Sequence, residues 1–262
     1  MIATLPTPFY QSPNATIYCG DALSLLCDMP SNSVDMVFTD PPYGHNNNNG
    51  DLIANREKAL GKKTIQCDAR PILNDGEEAD GIFLLFLYRA KRLLKDDCCC
   101  CCCCCGGGPD PMFARWSLHM DRVMSFRQQV IWDKGPIGMG WQYRRSVECV
   151  LVATKGKKKM RWFDDSHKIE NIIRPGMHGI RKIIPSKRQH PTEKPVELAQ
   201  FFIKLHTLPG ESVLDGFMGH GSTGVAAIRS GRKFIGIEIH SEYCQIAADR
   251  LAKAEADLEA AP

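Results

Sequence analysis

Several features are missing from these 262 residues. No apolar run approaches the roughly 20 residues that cross a bilayer as a helix, so a membrane-spanning role is not expected. The opening "MIATLPTPFYQSPN" has neither a basic start nor an apolar core. It does not read as a signal peptide, and the expected location is cytoplasmic. No segment repeats, which excludes solenoids and propellers. No lysine follows the glycine-rich turn "GFMGHGSTG", so a nucleoside triphosphate held by a Walker lysine is disfavoured. What remains is ordinary for a globular chain: 44% hydrophobic and 24% charged residues, in a length that suits one large α/β domain.

The net charge of +3 hides an uneven distribution. From Lys155 to His190, eleven Lys/Arg stand against Asp164, Asp165 and Glu170, making this segment +8 and the rest of the chain −5. A concentrated positive patch on a mildly acidic body predicts a polyanion partner; a solvated lysine-rich loop is the competing reading.

Eight of the thirteen cysteines form one block, Cys98 to Cys105. Neighbouring cysteines pair only with strain, and a reducing compartment disfavours disulfides. Alternate residues of a strand lie about 6.7 Å apart, too far for one rigid strand to cage a tetrahedral zinc alone. The block is therefore expected to be a central strand buried on both faces, where cysteine behaves as a small hydrophobe.

Strands and helices alternate along the chain. "ATIYCG", "VDMVFT", the cysteine block, "FRQQVIWDK", "SVECVLVAT", "SVLDGF" and "KFIGIEI" read as strands. Helices are expected over "DALSLLCDM", about 79–95, "PDPMFARWSLHMDRV" with Asp110 as N-cap, "KPVELAQFFIKLHT", "STGVAAIRS" and "SEYCQIAADRLAKAEADL". Residues 44–78 read as a long polar loop containing the run Asn46–Asn49, and 155–190 as an insert without clean periodicity. This alternation predicts a mainly parallel sheet with helices on both faces.

Two stretches carry chemistry. In "DGFMGHGSTG", Asp215 to Gly224, an apolar strand meets a helix start. Gly219 and Gly221 allow close approach of a ligand to free backbone amides. Glu238 ends the next strand, "FIGIE", about twenty residues on, where an acid can accept both hydroxyls of an adenosine ribose. In "FTDPPYG", Pro41 stops a strand and delivers Asp40, Pro41, Pro42 and Tyr43 to the carboxyl edge, where open α/β sheets bind ligands.

Taken with "YCGDA", "RLLK", "VIWDK" and "HPTEKPVEL", these stretches run in order along nearly the whole chain. The chain resembles the amino-methylating DNA methyltransferases that use S-adenosylmethionine, in the circular order with "DPPY" first and the cofactor loop last. The resemblance implies a Rossmann-like sheet of seven strands with one antiparallel. It divides the chain into a catalytic half (1–154), a basic DNA-recognition insert (155–189) and a cofactor-binding half (190–262).

The resemblance also implies site roles. Asp40 and the Pro41 carbonyl would accept from the exocyclic amine of a base, and Tyr43 would stack on that base once flipped from the duplex. Asp21 would meet the cofactor's adenine and Glu238 its ribose. The loop of Asp215, Phe217, Gly219 and Gly221, with Thr223, would wrap the methionine part, bordered by His190 and Lys194. Gly216 and His220 depart from the family's commoner proline and serine. Lys157, Lys158, Lys159, Arg161, Arg181, Lys182, Lys187 and Arg188 are expected on the phosphates of double-stranded DNA. No metal is expected, and a homodimer is among the assemblies such enzymes adopt.

The chemistry explains these residue types. An aromatic amine is a poor nucleophile because its lone pair is delocalised into the ring. A carboxylate and a rigid carbonyl that hold its hydrogens out of plane localise that pair. The expected reaction is methylation of adenine N6, since aspartate heads the motif; serine is commoner in N4-cytosine enzymes, which form the alternative. Protein-glutamine methyltransferases carry "NPPY" instead, and a non-catalytic DNA-binding protein would not bind S-adenosylmethionine.

Overall fold

The computed structural model describes residues 5–43, 76–105, 112–135, 146–157, 159–180 and 194–260. β-Branched and aromatic runs form the strands, because stiff side chains suit a pleated, packed surface. A short β1 (Tyr10–Gln11) precedes β2 (Ala15–Cys19), α1 (Ala22–Asp28) and β3 (Val34–Thr39). After α2 (Ala79–Leu93) come β4 (Leu94–Cys105), α3 (Met112–Val123), β5 (Ser125–Asp133), β6 (Val147–Thr154) and a short β7 (Ile172–Ile173). The last elements are α4 (Val196–His206), β8 (Ser212–Asp215), α5 (Ser222–Arg229), β9 (Lys233–Glu238) and α6 (Ser241–Glu259).

These strands form one sheet in the order β1-β2-β9-β8-β3-β4-β6-β5-β7. From β2 to β4 neighbouring strands are parallel. β6 is antiparallel to both β4 and β5. The expected seven strands with one reversed are present as the seven longer ones. Two-residue strands at the edges raise the total among the described residues to nine. The two ends of the chain interleave in the middle of this sheet, β8 beside β3 and β9 beside β2.

The cysteine block is the central strand. Cys98 to Cys103 are each no more than 1% exposed. With side chains alternating across the sheet, Cys99, Cys101 and Cys103 pack in the core under α4, α5 and α6. Cys98, Cys100 and Cys102 join α1, α2 and α3 on the other face. Burial pushes the Cys101 and Cys103 thiols up and keeps them protonated, the condition of an unreactive structural cysteine. The sulfurs of Cys100 and Cys102 approach to 3.6 Å, closer than the backbone spacing implies, because the two side chains lean together in a thiol contact.

One boundary differs from expectation. α2 stops at Leu93, since Leu94 turns extended and pairs with Val34 of β3. Arg92 then donates to the carbonyls of Cys27 and Met29 at the end of α1, satisfying acceptors a helix end leaves open. Asp110 and the Asn46–Asn49 run lie outside the described residues. α2 buries Phe83, Phe86, Leu87, Ala90 and Leu93 on one stripe. Each large member contributes about 1.5–3 kcal/mol. None of the described helices is long and apolar enough to cross a membrane.

The burial of β4 has a direct consequence. In native protein, iodoacetamide should label the exposed Cys19 and Cys27 and leave Cys98–Cys103 unmodified until denaturant is added. Peptide mass spectrometry reads this; labelling of the block at the rate of Cys19 would contradict the burial.

Candidate active site

The carboxyl ends of β3, β8 and β9 meet at one edge, and the chain leaves each with a functional segment. β3 ends at Thr39, and the buried Pro41, which lacks a ladder donor, forces the exit that presents Asp40 and Tyr43. Thr39 and Asp215, 176 positions apart, are joined by a buried 2.7 Å bond from the Thr39 hydroxyl to Asp215 Oδ1. The Phe217 amide donates to the same oxygen at 3.0 Å. The Thr223 hydroxyl also hydrogen-bonds the Asp215 carboxyl. Asp215 and Thr223, both expected at the cofactor, thus brace the loop from beneath.

Above that brace, the Met218 carbonyl accepts from the Gly221 amide at 2.8 Å, and Gly221 becomes the N-cap of α5. Gly219 and Gly221 have φ of 50° and 75°, the left-handed region that glycine enters without cost. Space separates their duties. A Cβ on Gly221 would come within 2.9 Å of Ala247 on α6, whereas one on Gly219 would meet nothing within 4 Å. Gly219 is where a ligand can approach the backbone. The departure at Gly216 also has a reason: a Cβ there would lie 2.5 Å from the Phe86 ring, which also packs on Phe217 at 5.1 Å. His220 sets its ring against Tyr243 at 4.7 Å, a loop-shaping contact.

Glu238 ends β9 beside this open space. Its carboxylate accepts from the amides of Gly219 at 3.1 Å and His240 at 2.9 Å, and burial pushes its carboxyl up. Cys19, at the end of β2, pairs in register with Glu238. Two residues on, Asp21 accepts from the Ser24 amide at 2.7 Å as N-cap of α1. Each carboxylate retains lone pairs for further donors.

Asp40 is the most closely held group. Lys194, just before α4, donates to Asp40 Oδ2 at 2.6 Å, and the Tyr43 hydroxyl donates to Asp40 Oδ1. Lys194 also reaches Tyr43 Oη at 3.1 Å. The structure sets Lys194, expected to border the cofactor, on the Asp40 carboxylate. Behind it stands Glu148 on β6, with Oε2 3.3 Å from Lys194 and Oε1 2.9 Å from Lys134. Burial opposes the charge on Glu148, but Lys194 and Lys134 outweigh it and hold the carboxyl down at about 2. Burial likewise opposes the Lys194 ammonium, but Asp40 and Glu148 hold it above its usual value. Tyr43 lies 5.9 Å from Trp116, which stacks on Phe83 at 4.0 Å.

Glu148 and Lys134 went unforeseen. The available signal was a lone acid in the apolar run "SVECVLVAT". Because β6 is antiparallel, its first residues, not its last, reach the site edge.

The same reversal places part of the basic segment. β6 delivers Lys155 and the residues after it to the opposite edge, where the parallel strands begin, roughly 23 Å from Glu148 along β4 at about 3.3 Å per residue. There the Lys155 amide bonds the Cys98 carbonyl. Arg161, expected on phosphates, instead pairs with Glu211 at 2.7 Å and Asp35 at 3.8 Å, and donates to Cys98 Sγ. Lys157 and Lys159 belong to that far edge too. The chain then climbs along β5, burying Ile173 and Ile180 in the core. Lys158, Arg181, Lys182, Lys187, Arg188 and His190 lie outside the described residues.

Asp215 gives a pH test. Burial pushes its carboxyl up to about 6, against lowering bonds from Thr39, Thr223 and Phe217. The folded value lies above the unfolded one, so its contribution is full below about pH 4 and is lost as pH rises through about 6, a change of about 3 kcal/mol. Asp215→Asn keeps an oxygen that accepts from Thr39 and Phe217. Urea titrations from pH 4 to 7 should show the variant losing less stability than wild type over that window; parallel curves would refute the assignment.

A family model described as a DNA methylase matches residues 34–249. The type II methyltransferase M2.LlaDCHI of Lactococcus lactis subsp. cremoris is 28% identical over 94% of this chain and 92% of its own. The DNA adenine methyltransferase YhdJ of Escherichia coli (strain K12) is 28% identical over 94% and 85%. The solved structure of an M1.HpyAVI–SAM complex superposes with a TM-score of 0.61 at 26% identity, covering 90% of this chain and 99% of that one. With its interleaved halves, its strand-end "DPPY" turn and the glycine loop beside it, the chain belongs to the N6/N4 DNA methylase family.

Proposed function

We propose that this chain transfers a methyl group from S-adenosylmethionine to the exocyclic N6 of adenine at specific sites in double-stranded DNA. The observation that carries the reading is the Asp40–Tyr43 turn, tied through Thr39 and Asp215 to the glycine loop. The relative named as a DNA adenine methyltransferase supports adenine as the target.

The cofactor suits the residues present. Open space over Gly219 and the buried carboxylate of Glu238 fit a ligand with a hydroxylated ribose, and Asp21 stands two residues beyond the neighbouring strand end. We assign Glu238 to the ribose, Asp21 to the adenine, and Phe217, Gly219 and Gly221 to the methionine part, with Asp215 and Thr223 shaping the loop. When bound, S-adenosylmethionine supplies a methyl carbon activated by its positively charged sulfur.

The chain's own residues prepare the amine. Asp40 and the Pro41 carbonyl accept its two hydrogens, and charge-assisted bonds are roughly twice as strong as neutral ones. Pro41 and Pro42 hold those acceptors in place, since a displacement of about 1 Å can cost 100-fold in rate. Tyr43 stacks on the flipped base, returning about 1–3 kcal/mol against the few kcal/mol of extrusion. Arg181, Lys182, Lys187 and Arg188 take the phosphates in this reading. A homodimer is part of the proposal, with Leu85, Tyr88 and Leu118 on α2 and α3, 52%, 52% and 71% exposed, as the apolar side chains it would cover.

Three measurements test the reading. Asp40→Ala should lower methyl transfer more than about 100-fold while calorimetric affinity for S-adenosylmethionine stays within a few-fold. Hydrolysis of the methylated DNA and mass spectrometry should give N6-methyladenine; N4-methylcytosine would select the cytosine alternative. Neutralising Arg181, Lys182, Lys187 and Arg188 together should flatten the salt dependence of DNA affinity by about 0.9 for each phosphate no longer neutralised. Neutralising Lys157 and Lys159 at the far edge should leave that slope unchanged; the reverse pattern would put the DNA on the other edge.

A further inference from the structure

We propose that Lys194 is a positioning residue for methyl transfer, anchored by Glu148 and Lys134, and that the Tyr43 hydroxyl occupies the target amine's place on Asp40 until a base arrives. This rests on the reading of Asp40 as the acceptor of that amine.

The four charged groups form a chain. Lys134 meets Glu148 at 2.9 Å, Glu148 meets Lys194 at 3.3 Å, and Lys194 meets Asp40 at 2.6 Å. Two cations alternate with two anions, so the unit is neutral as a whole. Side-chain exposure runs from 27% at Asp40 and 21% at Lys134 to 16% at Glu148 and 10% at Lys194. An ionised carboxylate accepts with both oxygens, and the Lys194 ammonium on one of them leaves the other for a second donor.

The two oxygens of Asp40 carry different duties. Oδ2 is occupied by Lys194, which cannot leave without also giving up its contact with Glu148. Oδ1 is occupied by Tyr43, whose ring must turn to stack on an incoming base. That motion frees Oδ1 alone. The amine therefore replaces the tyrosine hydroxyl, while the ammonium stays on the opposite oxygen and keeps the carboxylate aimed. Glu148 limits the lysine's pull: by drawing the ammonium back, it leaves Asp40 enough negative charge to accept strongly.

Among the described residues, the ionisable groups facing this unit are few. Tyr43 follows Asp40 on the same turn. Cys103 of β4 lies beneath with its thiol held up by burial, and Asp215 stands at the end of β8. Glu148 and Lys134 complete the set on the β6 and β5 side.

The test is the pH profile of kcat for DNA methylation by the full-length chain, with S-adenosylmethionine affinity measured in parallel. Removing a neighbouring opposite charge shifts a carboxylate by about 1–3 units. Lys194→Met should therefore move the acid limb to higher pH by about one unit or more. Lys194→Arg, which keeps the charge, should restore the limb to near its wild-type position. Glu148→Gln removes a like charge near Asp40 and should move the limb the other way, to lower pH.

Opposite directions for Lys194→Met and Glu148→Gln are the signature, since a merely structural role would lower activity in both without separating the limbs. If Lys194→Met does not fold, Lys194→Arg and Glu148→Gln still decide the matter. An acid limb unmoved in Lys194→Met, or moved upward in Glu148→Gln, overturns the proposal while wild type remains active. Absence of methylation by wild type would instead overturn the underlying function.

Discussion

The bond between Thr39 and Asp215 is the constraint on which the site depends. It joins residues 176 positions apart at the ends of adjacent parallel strands. Parallel neighbours bring their carboxyl ends to one edge, so the turn leaving β3 and the loop leaving β8 must emerge side by side. Asp215 also takes the Phe217 amide, so the same carboxyl that ties the strands sets the start of the glycine loop. Keeping this group buried costs stability where it is ionised, and its raised carboxyl value expresses that cost.

A second constraint is charge balance. The site edge carries Asp40, Glu148, Asp215 and Glu238, an acid excess suited to an amine and a cationic sulfonium. Lys194 and Lys134 reduce that excess only locally, at the clamp. Their placement comes from one topological fact, the reversal of β6. That reversal sends Glu148 to the clamp and the lysines after Thr154 to the opposite edge. Arg161 there serves stability, bridging Asp35 and Glu211 at the starts of β3 and β8.

Much of this was legible in the residue order. Each strand longer than two residues and each helix could be read from apolar periodicity, because local side-chain pattern and backbone preference agreed. The two-residue β1 and β7 could not, since their pairing depends wholly on neighbouring strands. The "DPPY" turn and the glycine loop were recognisable because proline and glycine impose backbone geometry locally. Lys194 was singled out, but its contacts with Asp40 and Glu148 were not. Its partners come from β3 and β6, and nothing within "HPTEKP" points to either.

The sequence alone determined where strands stop, which residues could hold an amine or approach a ligand, and that eight successive cysteines would be buried as small hydrophobes. These follow from the chemistry of single residues and their near neighbours. Strand direction and register were decided only in the folded chain, because they come from contacts between segments as far apart in the chain as Ala15 and Phe234. They set Glu148 behind Lys194, Thr39 on Asp215, and Arg161 on the edge remote from Asp40. A side chain's type limits what it can bind, but the sheet decides which partner it meets.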